Sequence, residues 1–163
     1  MKISVAVDEN WAIGKDGDQL VYISEDLKRF KALTMGHSVI LGRKTLATFP
    51  GGRPLKGRDN LILSTNPEFK VENARVFPSV DALLQIDSDE LKDAFVIGGE
   101  SVYRALLPYC DTAYVTKIDH AFPADRYFPD LDADPAWALD ESQPREVLEQ
   151  DGLTFRYLTY RRG

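Results

Sequence analysis

The chain of 163 residues carries a formal net charge of −6 and a single cysteine. A chain of this length buries a sound hydrophobic core, so we expect a single domain spanning residues 1–163. The negative charge argues against non-specific binding to nucleic acid or to an anionic membrane, and a lone cysteine excludes a disulfide within the chain.

The rarer residue types narrow the class of protein further. His37 and His120 are isolated in the sequence and no metal-ligand spacing occurs, so we expect no metal. Cys110 is interpreted as a buried structural thiol rather than a nucleophile, because no histidine lies near it in the sequence. No apolar run has the length of a signal-peptide core or of a transmembrane helix. We therefore expect a cytoplasmic protein with no membrane partner, acting as a monomer.

The first half of the chain predicts an alternation of strands and helices. A buried strand at residues 3–7 precedes a polar loop at residues 8–22, and Ser24 is a candidate N-cap for a helix at about residues 25–33. The elements predicted next are a strand at 38–41, a short helix from Arg43, strands at 60–64 and 75–77, and a helix capped by Ser79.

The second half ends differently, with strands that no helix separates. A strand at residues 95–97 runs through a double glycine into a helix at 101–107, and a strand follows at 113–118. Residues 119–134 are predicted to form an ordered loop. Strands at 137–142 and 153–160 are predicted to be joined by a polar turn at residues 151–152. The whole pattern predicts an α/β domain: a mainly parallel central sheet with flanking helices and an antiparallel C-terminal edge.

Two strand-to-helix turns are suited to phosphate. Gly98 and Gly99 follow a buried strand, where the backbone can approach a ligand and the helix N–H groups favour an anion. A double glycine alone is more often a tight turn without a ligand. However, the turn at residues 42–45 adds Arg, Lys and Thr to a second such glycine, and two turns imply an extended ligand such as a dinucleotide. Neither turn matches the Rossmann or P-loop motif.

One carboxylate is placed for chemistry. Helical spacing puts Asp26, Phe30 and Leu33 on one face of the first predicted helix. The acid is either a solvated residue that stabilises the helix start or a carboxylate on the floor of a flat apolar pocket. In the second case the carboxylate binds a nitrogen heterocycle through paired hydrogen bonds, and burial raises the pKa of the carboxyl group.

The chain resembles the dihydrofolate reductase family of the bacterial chromosomal type. The motifs that carry this resemblance cover nearly the whole chain and occur in the family's order: Ala6-Val7-Asp8 leading to Ile13-Gly14, Ser24 to Phe30, Val39 to Thr45, Leu55-Lys56-Gly57-Arg58, Leu61 to Ser64, Val96-Ile97-Gly98-Gly99 with Val102-Tyr103, and Asp125 to Pro129. Each motif alone is modest, whereas the ordered set is specific.

The resemblance implies a folate-binding half of the site. Asp26 would anchor the pteridine ring at N3 and its 2-amino group, supported by Thr116. Phe30 would pack on the pteridine and benzoyl rings, and Arg58 would pair with the α-carboxylate of the glutamate tail. From its own segment, Arg58 could equally be an ordinary surface arginine. The other residues implied for this half are Ser4, Val5, Ala6, Leu27 and Ile97.

The resemblance also implies NADPH as the cofactor. The double glycine and Thr45 would hold the pyrophosphate region, and Arg43 with residues 64–65 would face the adenosine 2′-phosphate. The peptide between the two glycines is cis in the family, and a mobile loop opens at residues 13–14. The residues implied for this half are Ala6, Ile13, Gly14, Gly42, Arg43, Lys44, Thr45, Ser64, Thr65, Gly98, Gly99, Glu100, Ser101, Val102 and Tyr103.

One position departs from the family pattern. Val21 stands where the family usually has a tryptophan that helps to hold a water near the pteridine and the acid. The departure leaves the fold and the reaction class in place but puts the water network and loop closure in question, and Tyr22 is a candidate substitute.

The function implied is hydride transfer from NADPH to C6 of 7,8-dihydrofolate, with N5 protonated through water, and antifolates as inhibitors. Two other functions remain open from the sequence. One is a reductase of similar fold that acts on a pyrimidine of riboflavin synthesis, which would not need Asp26, Phe30 and Arg58 together. The other is a non-catalytic nucleotide-binding domain, which would bind NADPH without turnover.

Overall fold

The computed structural model describes residues 1–163, folded as an α/β structure around a central sheet. Its strands are β1 (Lys2–Val7), β2 (Ala12–Lys15), β3 (Asp18–Gln19), β4 (Ser38–Gly42), β5 (Asp59–Leu63), β6 (Ala74–Phe77), β7 (Phe95–Gly98), β8 (Thr112–Ile118), β9 (Arg126–Tyr127), β10 (Trp137–Leu139), β11 (Val147–Gln150) and β12 (Leu153–Arg162). Its helices are α1 (Ser24–Thr34), α2 (Arg43–Ala47), α3 (Val80–Leu83), α4 (Ser88–Lys92) and α5 (Glu100–Leu106). Short 3₁₀ turns occur at Pro50–Gly52 and Leu107–Tyr109.

The predicted fold class is confirmed. The main sheet has the order β10-β12-β8-β1-β7-β4-β5-β6, with β11 also paired to β12. Every pair from β8 to β6 is parallel, and β12 pairs antiparallel with β8, β10 and β11. The parallel strands read as continuous apolar runs because helices and loops cover both of their faces.

The core lies on both faces of this sheet. In β4, Val39 and Leu41 pack into one cluster with Ile62 and Phe95. The residue between them, Ile40, points to the opposite face and joins the larger cluster. The alternation follows the period of two in a strand, so one short segment stabilises both layers.

Several boundaries predicted from the sequence are wrong. The loop predicted at residues 8–22 contains β2 and β3, which form a second sheet with β9 in the order β3-β2-β9. The turn at residues 151–152 joins β11 to β12, not β10 to β12, and β11 and α4 were not predicted. Ser24 is the first residue of α1 rather than its N-cap, a position that Ile23 occupies without a side-chain bond.

Other local predictions are confirmed. The Ser79 side chain accepts a hydrogen bond from the Ala82 N–H at the start of α3. The Cys110 thiol is buried, donates to the Leu106 carbonyl at 3.3 Å, and has its pKa raised to about 12 by burial, as expected for a structural cysteine. None of the helices combines the length and the apolar composition that a bilayer crossing would require.

Candidate active site

A single large cleft of about 1190 Å³ lies at the carboxyl ends of β1, β4, β5 and β7, facing α1. This is the edge at which parallel sheets place their ligands. Every site residue implied by the resemblance lies on the cleft wall: Ser4, Val5, Ala6, Ile13, Gly14, Asp26, Leu27, Phe30, Gly42, Arg43, Lys44, Thr45, Arg58, Ser64, Thr65, Ile97, Gly98, Gly99, Glu100, Ser101, Val102, Tyr103 and Thr116. The fold therefore gathers these residues around one space, although their individual roles stay predictions.

Of the three acids that line the cleft, Asp18, Asp26 and Glu100, only Asp26 lies on α1 together with Phe30 and Leu33. Thr116, in β8, donates a hydrogen bond from its hydroxyl to Asp26 Oδ1 at 2.5 Å. Burial raises the pKa of the Asp26 carboxyl, while the Thr116 bond and the positive charge of Arg29 act in the opposite direction. The second carboxylate oxygen has no bond within the chain and is available to a ligand in the cleft.

An apolar wall stands beside this acid. Phe30 and Leu33 follow Asp26 on the same face of α1 and also line the cleft, as predicted from the helical spacing. Opposite, the buried Tyr103 donates its hydroxyl to the Ser4 carbonyl at 2.8 Å, and its ring packs edge-on against Phe128. Burial raises the pKa of the Tyr103 hydroxyl, so this group stays a neutral donor. The space between these walls suits a flat ring.

Arg58 is held in place rather than free. Its Nε donates to the Lys56 carbonyl at 2.9 Å, and its Nη1 donates to the Thr34 hydroxyl at 3.2 Å. Thr34 is fully buried and in turn donates to the Phe30 carbonyl at 2.8 Å. These bonds leave Nη2 of the guanidinium without a partner in the chain, and Arg58 lines the cleft.

The two glycine turns come into contact with each other. A Cβ built on Gly99 would lie 3.2 Å from Thr45 Oγ1, and one on Gly98 would lie 3.4 Å from the same atom. Gly98 has a φ of 135°, a conformation that only glycine adopts readily, and the Gly98–Gly99 peptide is cis. Because side chains are absent here, backbone N–H groups of one turn and the Thr45 hydroxyl of the other face the same space. That donor set fits a pyrophosphate.

Cations lie further along the same wall. Arg43 is exposed, with its guanidinium 6.0 Å from the centre of the Phe69 ring. Ser64 and Thr65, which follow β5, line the cleft close to this end. An arginine with two hydroxyls suits a second phosphate group in addition to the pyrophosphate.

The loop that carries β2 and β3 is held in place by hydrogen bonds to Asp125. The Asp125 carboxylate accepts from the Asp16 N–H at 3.0 Å, and the Asp125 N–H donates to the Gly14 carbonyl at 3.0 Å. Val21, at the position of the family tryptophan, packs against the small cluster around Ile23, and Tyr22 donates its hydroxyl to Asp18 at 2.5 Å. Tyr22 lines the cleft but is bonded within the loop, so no indole-like donor faces Asp26 from this segment.

Some lining residues were not identified from the sequence. Arg29 lies one helical turn after Asp26, and this spacing was the signal that could have revealed it. Phe49 and Leu55 also line the cleft, but they come from the irregular loop between α2 and β5, which has no period that indicates orientation.

The fold and the site are those of a small α/β oxidoreductase with a dinucleotide cofactor. The sequence profile of the family described as "Dihydrofolate reductase" matches residues 1–162. A dihydrofolate reductase of Bacillus subtilis (strain 168) is 39% identical over 155 residues, covering 95% of this chain and 90% of the relative. One from Staphylococcus haemolyticus is 40% identical over 136 residues, covering 82% of this chain and 80% of the relative.

A solved structure agrees with these relatives. It is described as dihydrofolate reductase from Enterococcus faecalis complexed with NADP(H) and RAB-propyl, and it matches with a TM-score of 0.83 and 30% identity, covering 99% of this chain and 95% of that one. The chain belongs to the dihydrofolate reductase family.

Proposed function

We propose that this chain reduces 7,8-dihydrofolate to 5,6,7,8-tetrahydrofolate with NADPH in the cleft. The observation that carries the proposal is Asp26: a largely buried carboxylate, fixed by Thr116 and flanked by a flat apolar slot, within a chain of this family. A carboxylate in such a slot recognises a ring that presents an N–H beside an amino group, which the pteridine does.

NADPH, when bound, supplies the hydride. The chain's part is to bind it in a fixed position, with the Gly98–Gly99 turn and Thr45 toward the pyrophosphate and Arg43 toward the 2′-phosphate. Ala6 and Ile13 line the space between these turns and Asp26, where the reacting rings would meet. The apolar surroundings exclude bulk water from that point.

The folate side is held at both of its ends. Asp26 accepts from N3 and the 2-amino group, Phe30 and Leu27 cover the ring faces, and Arg58 pairs its free Nη2 with the glutamate α-carboxylate. Fixing both ends aligns C6 for hydride arrival, so that much of the rate comes from position.

The proton follows a route separate from Asp26. Asp26 contacts the N3 side of the ring, away from N5, so N5 takes its proton from water. Asp26 instead polarises and orients the ring. Because Val21 offers no donor where the family has tryptophan, the water would be held by Asp26 itself and by backbone groups of the loop.

The two alternative functions have weaker support, and the reasons differ. The pyrimidine reductase of similar fold would not require Asp26, Phe30 and Arg58 in one cleft, and the family profile over residues 1–162 is that of dihydrofolate reductase. A non-catalytic nucleotide-binding domain would not need a buried acid on the ring side of the cleft.

The test is the loss of NADPH absorbance on adding dihydrofolate, against a control without dihydrofolate. Turnover supports the proposal, whereas NADPH binding without turnover would favour the non-catalytic alternative.

We further propose that the chain acts as a monomer, because one chain supplies the whole cleft wall. Size-exclusion chromatography with light scattering at working concentration tests this, and a dimer mass would contradict it.

A further inference from the structure

Arg29 is a cation on the cleft wall that forms no ion pair. Its guanidinium carbon lies 3.9 Å from the centre of the Tyr157 ring, and no carboxylate lies within 4.0 Å of its nitrogens. It also forms no hydrogen bond within the chain, and it is partly buried. A guanidinium that stacks on an aromatic face keeps its full charge, because the ring carries no opposite charge to cancel it.

The fold places this charge beside Asp26. Asp26 and Arg29 lie one turn apart on α1, and both line the cleft. Asp26 is bonded to Thr116 of β8, and Arg29 stacks on Tyr157 of β12. Thr116 and Tyr157 are direct partners in the antiparallel pairing of these strands. The acid and the cation are therefore anchored on adjacent positions of a rigid sheet.

We propose that Arg29 is a specificity-determining residue: it offsets the charge of Asp26 and so disfavours ligands whose ring is a cation, relative to neutral rings. This inference rests on the proposed function, in which Asp26 is the ring anchor. A neutral 2-amino-4-oxo pteridine gains hydrogen bonds from Asp26 and meets little repulsion from Arg29. A 2,4-diaminopyrimidine binds a carboxylate as its ring-protonated cation, and that charge is repelled by the guanidinium of Arg29.

Other groups around Asp26 do not supply this charge. Thr116 from β8, Tyr103 from α5 and Tyr157 from β12 face the carboxylate, and all three are neutral near pH 7. Arg29 is the cation that acts on Asp26 from its own helix, and it lowers the carboxyl pKa. Removing it should therefore raise that pKa further.

The test compares two ring types on four forms of the protein by calorimetry at pH 7. The ligands are a tail-free 2,4-diaminopyrimidine and a tail-free 2-amino-4-oxo pteridine. The proteins are wild type, Arg29→Gln, Arg29→Lys and Lys28→Gln. Lys28 is the matched control, because it directly precedes Arg29 on α1 and has the same charge but points to solvent and pairs with Glu25. We expect Arg29→Gln to tighten diaminopyrimidine binding by about 5- to 30-fold, the effect of removing one nearby charge at a high effective dielectric constant.

The other variants separate charge from shape. Pteridine affinity should change by less than about threefold in Arg29→Gln, since that ring is neutral. Arg29→Lys should keep the wild-type ratio of the two affinities because it keeps the charge, and Lys28→Gln should change neither. An unchanged ratio in Arg29→Gln, or an Arg29→Lys variant that behaves like Arg29→Gln, overturns the proposal.

A pH profile of binding would not change if Arg29 had only a structural role. In Arg29→Gln, the acid limb of diaminopyrimidine binding should shift to higher pH, because Asp26 then takes up its proton sooner as the pH falls. Asp26→Asn separates this inference from the proposed function. If Asp26→Asn leaves both affinities unchanged, the ring-anchor role fails and the inference fails with it; if Asp26→Asn weakens both while Arg29→Gln leaves the ratio fixed, only the inference fails.

Discussion

Asp26 combines two properties that conflict, because burial disfavours the charge that ring recognition requires. Burial raises its pKa above that of the unfolded chain, so the folded state binds the proton more readily than the unfolded state does. The contribution of Asp26 to stability is therefore greatest at low pH and is lost as pH rises from its ordinary value through the raised one. The charged form of Asp26 that ring recognition requires is therefore the form that contributes less to stability.

Asp26→Asn should lose most of the activity near neutral pH, with a cost of ~2–4 kcal/mol in the transition state, or roughly 30- to 1,000-fold in rate. The amide keeps the shape but removes the charge that pairs with the ring. Steady-state NADPH oxidation with dihydrofolate measures the loss, and urea unfolding at pH 7 should show no loss of stability. Glu25→Gln, an exposed neighbour outside the cleft wall, is the control. Full activity in Asp26→Asn would reduce Asp26 to a helix-start acid.

Arg58→Leu should raise the KM for dihydrofolate and lower kcat/KM by ~2–3 kcal/mol, while a tail-free dihydropteridine should be nearly unaffected. Leu keeps part of the packing of the side chain but deletes the guanidinium that Thr34 and the Lys56 carbonyl position. Lys56→Leu is the matched control, since its carbonyl remains and its side chain lies off the cleft wall. If the tail-free substrate suffers equally, Arg58 supports the fold or the cofactor site instead.

Arg43→Ala should weaken NADPH far more than NADH, because the two cofactors differ only in the 2′-phosphate. A guanidinium–phosphate contact is worth ~1.5–3 kcal/mol. Dissociation constants for both cofactors measure the difference. Arg53→Ala, an exposed arginine outside the cleft wall, should alter neither. Equal weakening of both cofactors by Arg43→Ala would place Arg43 at the pyrophosphate.

At the scale of elements, one buried acid joins three segments. Asp8, at the end of β1 and fully buried, accepts from the Asn10 and Ala12 N–H groups through Oδ1 and from the Phe122 N–H through Oδ2. The same carboxylate thus holds the start of β2 and the loop before β9. The first of these segments belongs to the second sheet, and the second leads to its strand β9.

Asp8→Asn should detach one of these segments without unfolding the chain. The amide retains a single acceptor oxygen, so its NH₂ group must face a backbone N–H, and a buried donor left unpaired costs ~1–3 kcal/mol. Hydrogen exchange should become faster at Phe122 or at Ala12. Asp119→Asn, an exposed acid in the loop, should leave both amides protected. Unchanged protection in Asp8→Asn would contradict the role of Asp8 as the link.

The elements that the sequence predicted are those whose signals are local. β4, β7 and α5 follow from apolar runs, glycine turns and helical spacing within about ten residues. β2 and β11, which were missed, each pair with the next strand across a two-residue turn, Asp16-Gly17 and Asp151-Gly152, so the unused signal was the turn itself. α4 did have a signal, the Asp87 cap that accepts from the Asp89 N–H. In the site, the motifs located Asp26 and both glycine turns, whereas the stacking of Arg29 on Tyr157 depends on a strand more than 120 residues away in sequence.

At the scale of the whole molecule, ligand binding and stability should be linked. The cleft joins α1, four central strands and the loop that carries β2, so a ligand that fills it favours the folded state. NADPH at about 100 times its dissociation constant should add about 2.7 kcal/mol to the free energy of unfolding. Thermal or urea unfolding at several NADPH concentrations measures this, and Arg43→Ala should need more cofactor for the same shift. A midpoint that does not depend on NADPH would show that the folded chain has no preference for it.

The position of β12 also bears on how the protein is made. β12 is the last strand in chain order, yet it covers the edge of β8 along seven paired residues. While a ribosome is still producing the segment before residue 153, the nascent chain has an uncovered strand edge at β8, the kind of surface through which unfinished chains associate. The same strand carries Tyr157, so the charge arrangement beside Asp26 forms only after β12 has been made and has paired with β8. The strand that completes the site is therefore also the strand that covers this edge.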